Sequence, residues 1–198
     1  MRHQNFEKHI LEWYQEEGRE FFWREIELNP FQVLVLEILL RRTRAETVDE
    51  YGRNIVGRYD TPSEVIEAGK EKLESEIGKL GYVSRAEDLL RISREIEDKG
   101  KLPDNRDELM EIEGIGQYIA DAILCYGYGQ PRVPLDMNVA RVGKYYLDIS
   151  IPSDLRYADE LKEEMEERIP EDEPEVFNWA LQDLGSALKS NGDPLGLE

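Results

Sequence analysis

Only one cysteine, Cys125, occurs in 198 residues. A single thiol excludes a disulfide framework within the chain, and it excludes a zinc or iron–sulfur site held by cysteines. Histidine is almost as scarce. His3 and His9 stand six residues apart, a spacing with no metal-binding pattern. No apolar run reaches the roughly 18 residues that a membrane helix requires. The opening MRHQNFEKHI has no signal-peptide core, so the chain reads as cytoplasmic. Alternating strand patterns are scarce, and neither internal repeats nor low-complexity stretches occur. Basic charge is also short: 25 Lys and Arg face 44 Asp and Glu, a net charge of −19. That balance argues for a strongly solvated surface and, because salt screens repulsion, for a salt-rich host.

The charge is unevenly spread. Arg41, Arg42 and Arg44 sit together, as do Arg132, Arg141 and Lys144, while acid concentrates between Asp159 and Glu175. Hydrophobic residues make up 40% of the chain, enough for a sizeable core. Phe6, Ile10, Trp13 and Tyr14 recur at helical spacing, and 31–40 (FQVLVLEILL) is so apolar that its helix must be central. Thr61-Pro62-Ser63-Glu64 carries the features of a helix start: a cap, a first-turn proline and a glutamate at the third position. Ser84-Arg85-Ala86-Glu87 repeats the capping-box pattern and opens a helix to about Lys99. Further helices are expected at about 106–112, 117–127, 137–146, 154–168 and 174–189. Trp13, Trp23, Trp179 and Cys125 read as core. The fold class is therefore all-α, with short connectors.

Two local features carry chemistry. In LMEIEGIGQYIADAIL (109–124), two helical patterns are separated by Glu113-Gly114-Ile115-Gly116. Glycines allow positive φ and leave no side chain over the amides, which then face an anion such as a DNA phosphate at the helix start. The same glycines would serve an ordinary corner between helices. Downstream, Leu135-Asp136-Met137-Asn138-Val139 follows Pro131 and Pro134 and opens another helix, with Asp136 as its cap. A carboxylate at a helix N-terminus has its ionised form favoured, as needed to stabilise a sugar cation and orient a water. Capping alone accounts for such an aspartate equally well.

Together these residues resemble a known family. EGIGQY and PLDMNVARV look like the hairpin and aspartate block of the endonuclease III superfamily of base-excision glycosylases. FFWRE, NPFQVLVLEILLRRTRAETV, LGYVSRAEDL and FNWALQDLGSAL are similar to its other blocks, in the same order across most of residues 12–188. The nearest subfamilies are the thymine–DNA (T:G or U:G) and adenine mismatch glycosylases. The resemblance implies a two-lobed helix-hairpin-helix fold. One lobe would span 30–130; the other would join 1–29 to 131–198, with the active-site cleft between them bringing Glu37, Tyr118 and Asp136 together.

Three positions refine the resemblance. Tyr118 stands where bifunctional relatives carry a Schiff-base lysine; tyrosine cannot form an imine, so hydrolysis without strand cleavage is expected. Glu37 lies in the apolar Leu36-Glu37-Ile38-Leu39-Leu40, where desolvation suits a carboxyl for proton transfer to the base; a salt bridge to Arg41 is the other reading. Arg41-Arg42-Thr43 replaces the glutamines usual in adenine-specific relatives, and Arg42 matches a side chain that fills the hole left by a flipped base and reaches the orphaned guanine. Tyr82 is a candidate wedge or a packing residue. Gly114, Ile115, Gly116, Gln117, Arg41, Asn138 and Arg141 complete the expected DNA contacts.

Many relatives hold a four-iron cluster on C-terminal cysteines. That loop is missing here, so no iron–sulfur cluster and no metal are expected; a monovalent cation at the hairpin is the one ion the resemblance admits. The expected partner is double-stranded DNA with a mismatched or deaminated base, bound by a monomer without a membrane. Thymine or uracil opposite guanine is the favoured target. Adenine opposite guanine or 8-oxoguanine, and a non-catalytic binder of mismatched or damaged DNA, are the alternatives.

Overall fold

A computed structural model describes residues 6–196, so His3 lies outside the described residues. They form helices α1 (Phe6–Glu17), α2 (Phe22–Glu25), α3 (Pro30–Leu40), α4 (Ala45–Val56), α5 (Pro62–Ile77), α6 (Ser84–Lys99), α7 (Arg106–Glu111) and α8 (Gln117–Ala122). A π-helical turn, Ile123–Gly127, extends α8 and is followed by α9 (Met137–Leu147), α10 (Asp159–Glu166) and α11 (Pro174–Asn191). No strand occurs among the described residues, in keeping with the all-α reading. None of their helices is long and apolar enough to cross a membrane.

The chain divides into two compact units. Glu20–Tyr128 is one; the N-terminal segment through Arg19 joins the chain from Gly129 onward to make the other. The boundary falls after Arg19, not at residue 29, for a packing reason. Phe21, Phe22, Trp23 and Leu28 are buried in the same core as α3, and the Phe21 and Trp23 rings stack with centroids 4.5 Å apart. Of the other tryptophans, Trp13 and Trp179 are half-buried.

In the Glu20–Tyr128 unit, α3 is the central element. Asn29 caps it, accepting from the amides of Phe31 and Gln32 at 2.9 and 3.0 Å, while the Gln32 side chain accepts from the Asn29 amide at 2.9 Å. Pro30 fits the first turn because its missing N–H would have no acceptor there. Eight of its eleven residues are buried, Glu37 among them. At about 1.5–3 kcal/mol for each fully buried aliphatic side chain, this one helix anchors the unit. It packs against α4, α6, α8 and the π turn. The Thr61–Glu64 capping box forms as the sequence suggests. The second expected box does not: no side chain caps α6, and Glu87 turns instead to Lys70.

In the other unit, α11 packs against α1 and α9, and α9 against α10. Phe6, Ile10, Val139, Met165 and Phe177 lie in its core. Arg19 and Asp183 hold its two chain segments together through three hydrogen bonds of 2.6–2.8 Å, with the Asp183 carboxylate almost wholly buried. The region expected as one helix over 154–168 is instead a 3-10 turn, Leu155–Tyr157, followed by α10.

Candidate active site and nucleic-acid interface

The helix-hairpin-helix is α7, a tight turn and α8. Asn105 caps α7 by accepting from the Glu108 amide at 3.0 Å. The turn departs from the simple Gly-x-Gly expectation. Gly114 has φ of +99°, a conformation reserved largely for glycine, but Gly116 has φ of −93° and ψ of 177°, which any residue adopts. A Cβ on Gly116 would meet nothing within 4 Å, so neither backbone nor packing calls for glycine there. What its missing side chain leaves uncovered is the start of α8, where the Gly116 and Gln117 amides have no intrahelical acceptor.

Ile115 occupies a different position from its neighbours. Its side chain is buried, and its amide donates to the Ile112 carbonyl at 3.0 Å, so it anchors the turn and offers no amide to an anion. Two arginines brace the same turn from outside. Arg41 donates to the Gly114 carbonyl and faces Asp88 at 3.7 Å; Arg91 donates to the Glu113 carbonyl at 2.5 Å. The alternative of an Arg41 pair with Glu37 is therefore not the use the structure makes of Arg41. Arg91 went unnoticed in the sequence because a polar residue on α6 has no local mark of a long-range partner.

The loop after α3 carries Arg42, which is exposed and held at φ of +55°, a strained conformation for a non-glycine residue. Arg85 fixes this loop from beneath. It is 4% exposed, donates to the Arg41 carbonyl and to Thr43 Oγ1 (2.7 Å), and stacks its guanidinium 4.7 Å from the Tyr82 ring centre. Tyr82 is 45% exposed, so it is a surface aromatic and not a buried packing residue.

Behind the hairpin, Glu37 is buried on α3 and Tyr118 is half-buried on the first turn of α8, packed against the same core. Tyr126, on the π turn, joins them. Burial pushes its phenol well above the ordinary range, with Cys125, Tyr118 and Glu37 adding to the shift and Arg24 opposing it. Glu37, Tyr118, Tyr126 and Arg24 thus form one electrostatic neighbourhood in this unit. Tyr126 and Arg24 escaped sequence reasoning; π turns, which cluster at functional positions, leave no clear sequence signal.

Asp136 belongs to the other unit. It caps α9 as the sequence suggests: Oδ1 accepts from the Asn138 and Val139 amides, both at 2.8 Å, and Oδ2 accepts from Asn138 Nδ2 at 3.0 Å. The expected fully favoured ionisation needs correction. Burial raises the Asp136 pKa, and this outweighs the amides of Val139 and Asn138, the Asn138 side chain and the Arg141 charge, all of which lower it. Asn138 and Arg141 are half-buried and bonded within the protein. Arg141 donates to Asn138 Oδ1 at 3.0 Å and to the Gly185 carbonyl.

No group of three or more His, Cys, Asp or Glu side chains suited to a metal occurs among the described residues. His9 is half-buried with its Nδ1 unpartnered, and Cys125 is buried.

A glycine hairpin with uncovered helix-start amides, accompanied by a half-buried aspartate that caps a helix, defines the helix-hairpin-helix class of base-excision glycosylases. Comparison with known proteins agrees. The family model described as "HhH-GPD superfamily base excision DNA repair protein" matches residues 35–171. The thymine-DNA glycosylase of Aeropyrum pernix is 28% identical over 198 residues, covering 96% of this chain and 88% of that protein. An adenine DNA glycosylase of Mycobacterium tuberculosis is 38% identical over 136 residues, 67% of this chain, but the match spans only 44% of that protein. The solved structure of a thermostable thymine-DNA glycosylase superposes with a TM-score of 0.85 at 26% identity, covering 96% of this chain and 88% of that one. The chain belongs to the HhH-GPD superfamily of base-excision DNA repair proteins. It is a DNA glycosylase, a hydrolase of N-glycosyl bonds.

Proposed function

We propose that this glycosylase removes thymine or uracil opposite guanine from double-stranded DNA and leaves an abasic site without cutting the strand. The observation that carries the reading is Tyr118, on the first turn of α8 directly after the hairpin. Its phenol cannot form the imine that strand cleavage through a Schiff base requires. The likeness to thymine-DNA glycosylases along nearly the whole chain supports the choice of pyrimidine.

In this reading the Gly116 and Gln117 amides hold a DNA phosphate at the start of α8. Arg41 and Arg91 act indirectly, bracing the turn and supplying positive charge beside it. Arg42 and Tyr82 enter the duplex where the target nucleotide has left the stack. Glu37 delivers a proton, directly or through water, to the departing base. Asp136 stabilises the positive charge that develops on the sugar as the N-glycosidic bond breaks, and it directs water to C1′. The water's oxygen bonds to C1′, its proton passes to Asp136, and the base leaves with the electron pair of the broken bond. The chain's sole cysteine does not fit a four-cysteine iron–sulfur cluster, and no step here calls for one or for a cation at the hairpin.

A second reading, an adenine glycosylase, is favoured by the 38% identity to the mycobacterial enzyme. End-labelled duplexes containing T:G, U:G, A:G or A:8-oxoG, each incubated with the protein and developed with and without alkali, separate the two. Alkali-dependent cleavage at T:G or U:G is expected. Cleavage confined to the adenine duplexes would establish the second reading, cleavage without alkali would remove the monofunctional one, and binding without cleavage would leave only a binder of mismatched DNA.

A further inference from the structure

We infer that Arg141 is a positioning residue for Asp136 and acts through the side-chain amide of Asn138. The inference rests on reading Asp136 as the catalytic carboxylate.

An asparagine amide has one oxygen that accepts and one nitrogen that donates, and its two orientations are nearly isosteric. Arginine only donates. Arg141 Nη1, 3.0 Å from Asn138 Oδ1, therefore decides which way the amide faces. With the oxygen claimed by Arg141, Nδ2 turns to Asp136 Oδ2 at 3.0 Å. The flipped amide would set donor against donor at Arg141 and acceptor against acceptor at Asp136. Arg141 is itself fixed by donating to the Gly185 carbonyl on α11. That bond needs α11 to lie directly on the first turn of α9. A Cβ at Gly185 would stand 2.2 Å from the Asn138 carbonyl oxygen and 2.7 Å from its Cα, so only glycine allows the approach.

The result is a carboxylate held at both oxygens. Oδ1 takes two backbone amides and Oδ2 takes Asn138 Nδ2, which leaves the second lone pair of Oδ2 pointing in one fixed direction for water. Fixing the base relative to the attacking water is a direct contribution to rate. Arg141, on α9 itself, is the charged side chain that acts on Asp136, and the acidic groups on the elements packed against α9 have other partners. Asp183 of α11 is committed to Arg19, and Glu166 of α10 faces Arg132 at 3.6 Å and Lys162 at 3.8 Å. Burial raises the Asp136 pKa, and the Asn138 amide and the Arg141 charge hold it back.

The test is single-turnover base excision across pH, with DNA affinity measured separately, on the duplex the wild-type protein cleaves best. Arg141→Met should slow excision about tenfold at saturating DNA, leave Kd within about twofold, and move the acid limb of the profile upward by about half a pH unit or more. Arg141→Lys, which keeps a donor for Asn138 Oδ1, should restore much of the acid limb. Asn138→Ala should produce the same slowing and the same upward move of the acid limb, and in that background Arg141→Met should add no further loss. If Arg141→Met fails to fold, Asn138→Ala alone carries the test: excision at unchanged rate with an unmoved acid limb would overturn the inference. Additive losses, or a fall in affinity with unchanged excision at saturating DNA and an unmoved acid limb, would overturn the inference and make Arg141 a DNA contact. Full activity of Asp136→Asn would instead remove the assignment of Asp136 on which the inference rests.

Discussion

Arg41 donates from Nη2 to the carbonyl oxygen of Gly114, tying the residue that ends α3 to the hairpin turn 73 positions further along the chain. Arg91 does the same for Glu113. Carbonyls and amides thus divide the turn: arginines hold its carbonyl side, and the start of α8 presents amides on the other. A chain of net charge −19 can grip a phosphate this way because the donors are backbone groups and need no surplus of basic side chains.

The two hairpin glycines should respond differently to alanine. Gly114→Ala places a side chain at φ of +99°, with its Cβ 3.0 Å from Arg91 Nη2 and 3.2 Å from Ile92, and is expected to cost about 1–2 kcal/mol in a denaturant melt. Gly116→Ala has allowed dihedrals and open space, so stability should hold within about 0.5 kcal/mol. Its methyl group would cover the amides at the start of α8, however, and affinity for duplex DNA should fall about tenfold or more. Gel-shift titration of a well-folded Gly116→Ala protein with wild-type affinity would contradict the role given to those amides.

Arg42 holds φ of +55° yet makes no hydrogen bond or ion pair among the described residues. Strain at an exposed side chain without internal partners points to a use outside the protein. Arg42→Gly should leave stability unchanged or raise it by up to about 1 kcal/mol, because relief of the left-handed strain slightly exceeds the added freedom of the unfolded chain. Excision should slow by about 10-fold or more, since an extruded base would no longer be replaced in the stack. A thermal melt beside a single-turnover assay decides the matter; equal excision by both proteins would exclude Arg42 from the duplex.

Asp136→Asn should abolish turnover, by at least about 10²–10³-fold, while duplex affinity stays near wild type. The same change should stabilise the fold at neutral pH, and the sign follows from linkage. The folded pKa of Asp136 lies above the unfolded value, so between the two the native state binds more protons than the unfolded state. Stability therefore falls as pH rises through that interval, and above it the buried charge is a standing cost that asparagine, still an N-cap, removes. Melting temperatures of the two proteins should converge as pH falls below the ordinary aspartate range. A lower melting temperature for the variant at pH 7 would contradict the sign.

Tyr118→Lys should convert the reaction. An amine at this position can attack C1′ and form an imine, so borohydride should trap a covalent protein–DNA product and strand cleavage should no longer need alkali. The wild-type protein should give neither. Borohydride trapping of the wild type would assign the imine to another residue and end the monofunctional reading.

Some of this protein is written locally in its sequence. The apolar run 31–40 could only be a buried helix, Thr61–Glu64 and Asp136 carry their capping partners within three residues, and Gly114 marks its own turn. These are short-range matters of backbone stereochemistry, periodicity and nearby hydrogen bonds. What local chemistry leaves open, packing decides. Phe21, Phe22, Trp23 and Leu28 join the core of α3 and move the unit boundary to Arg19. Arg41 and Arg91 reach carbonyls far along the chain, Arg85 is buried beneath the Arg42 loop, and Arg141 finds Gly185 where α11 meets α9. Asp136 shows both levels at one residue. The sequence determined that it caps a helix and that the cap favours its charge; only the tertiary structure decided how deeply it is buried, and that burial, a sum over distant residues, outweighs the cap and raises its pKa.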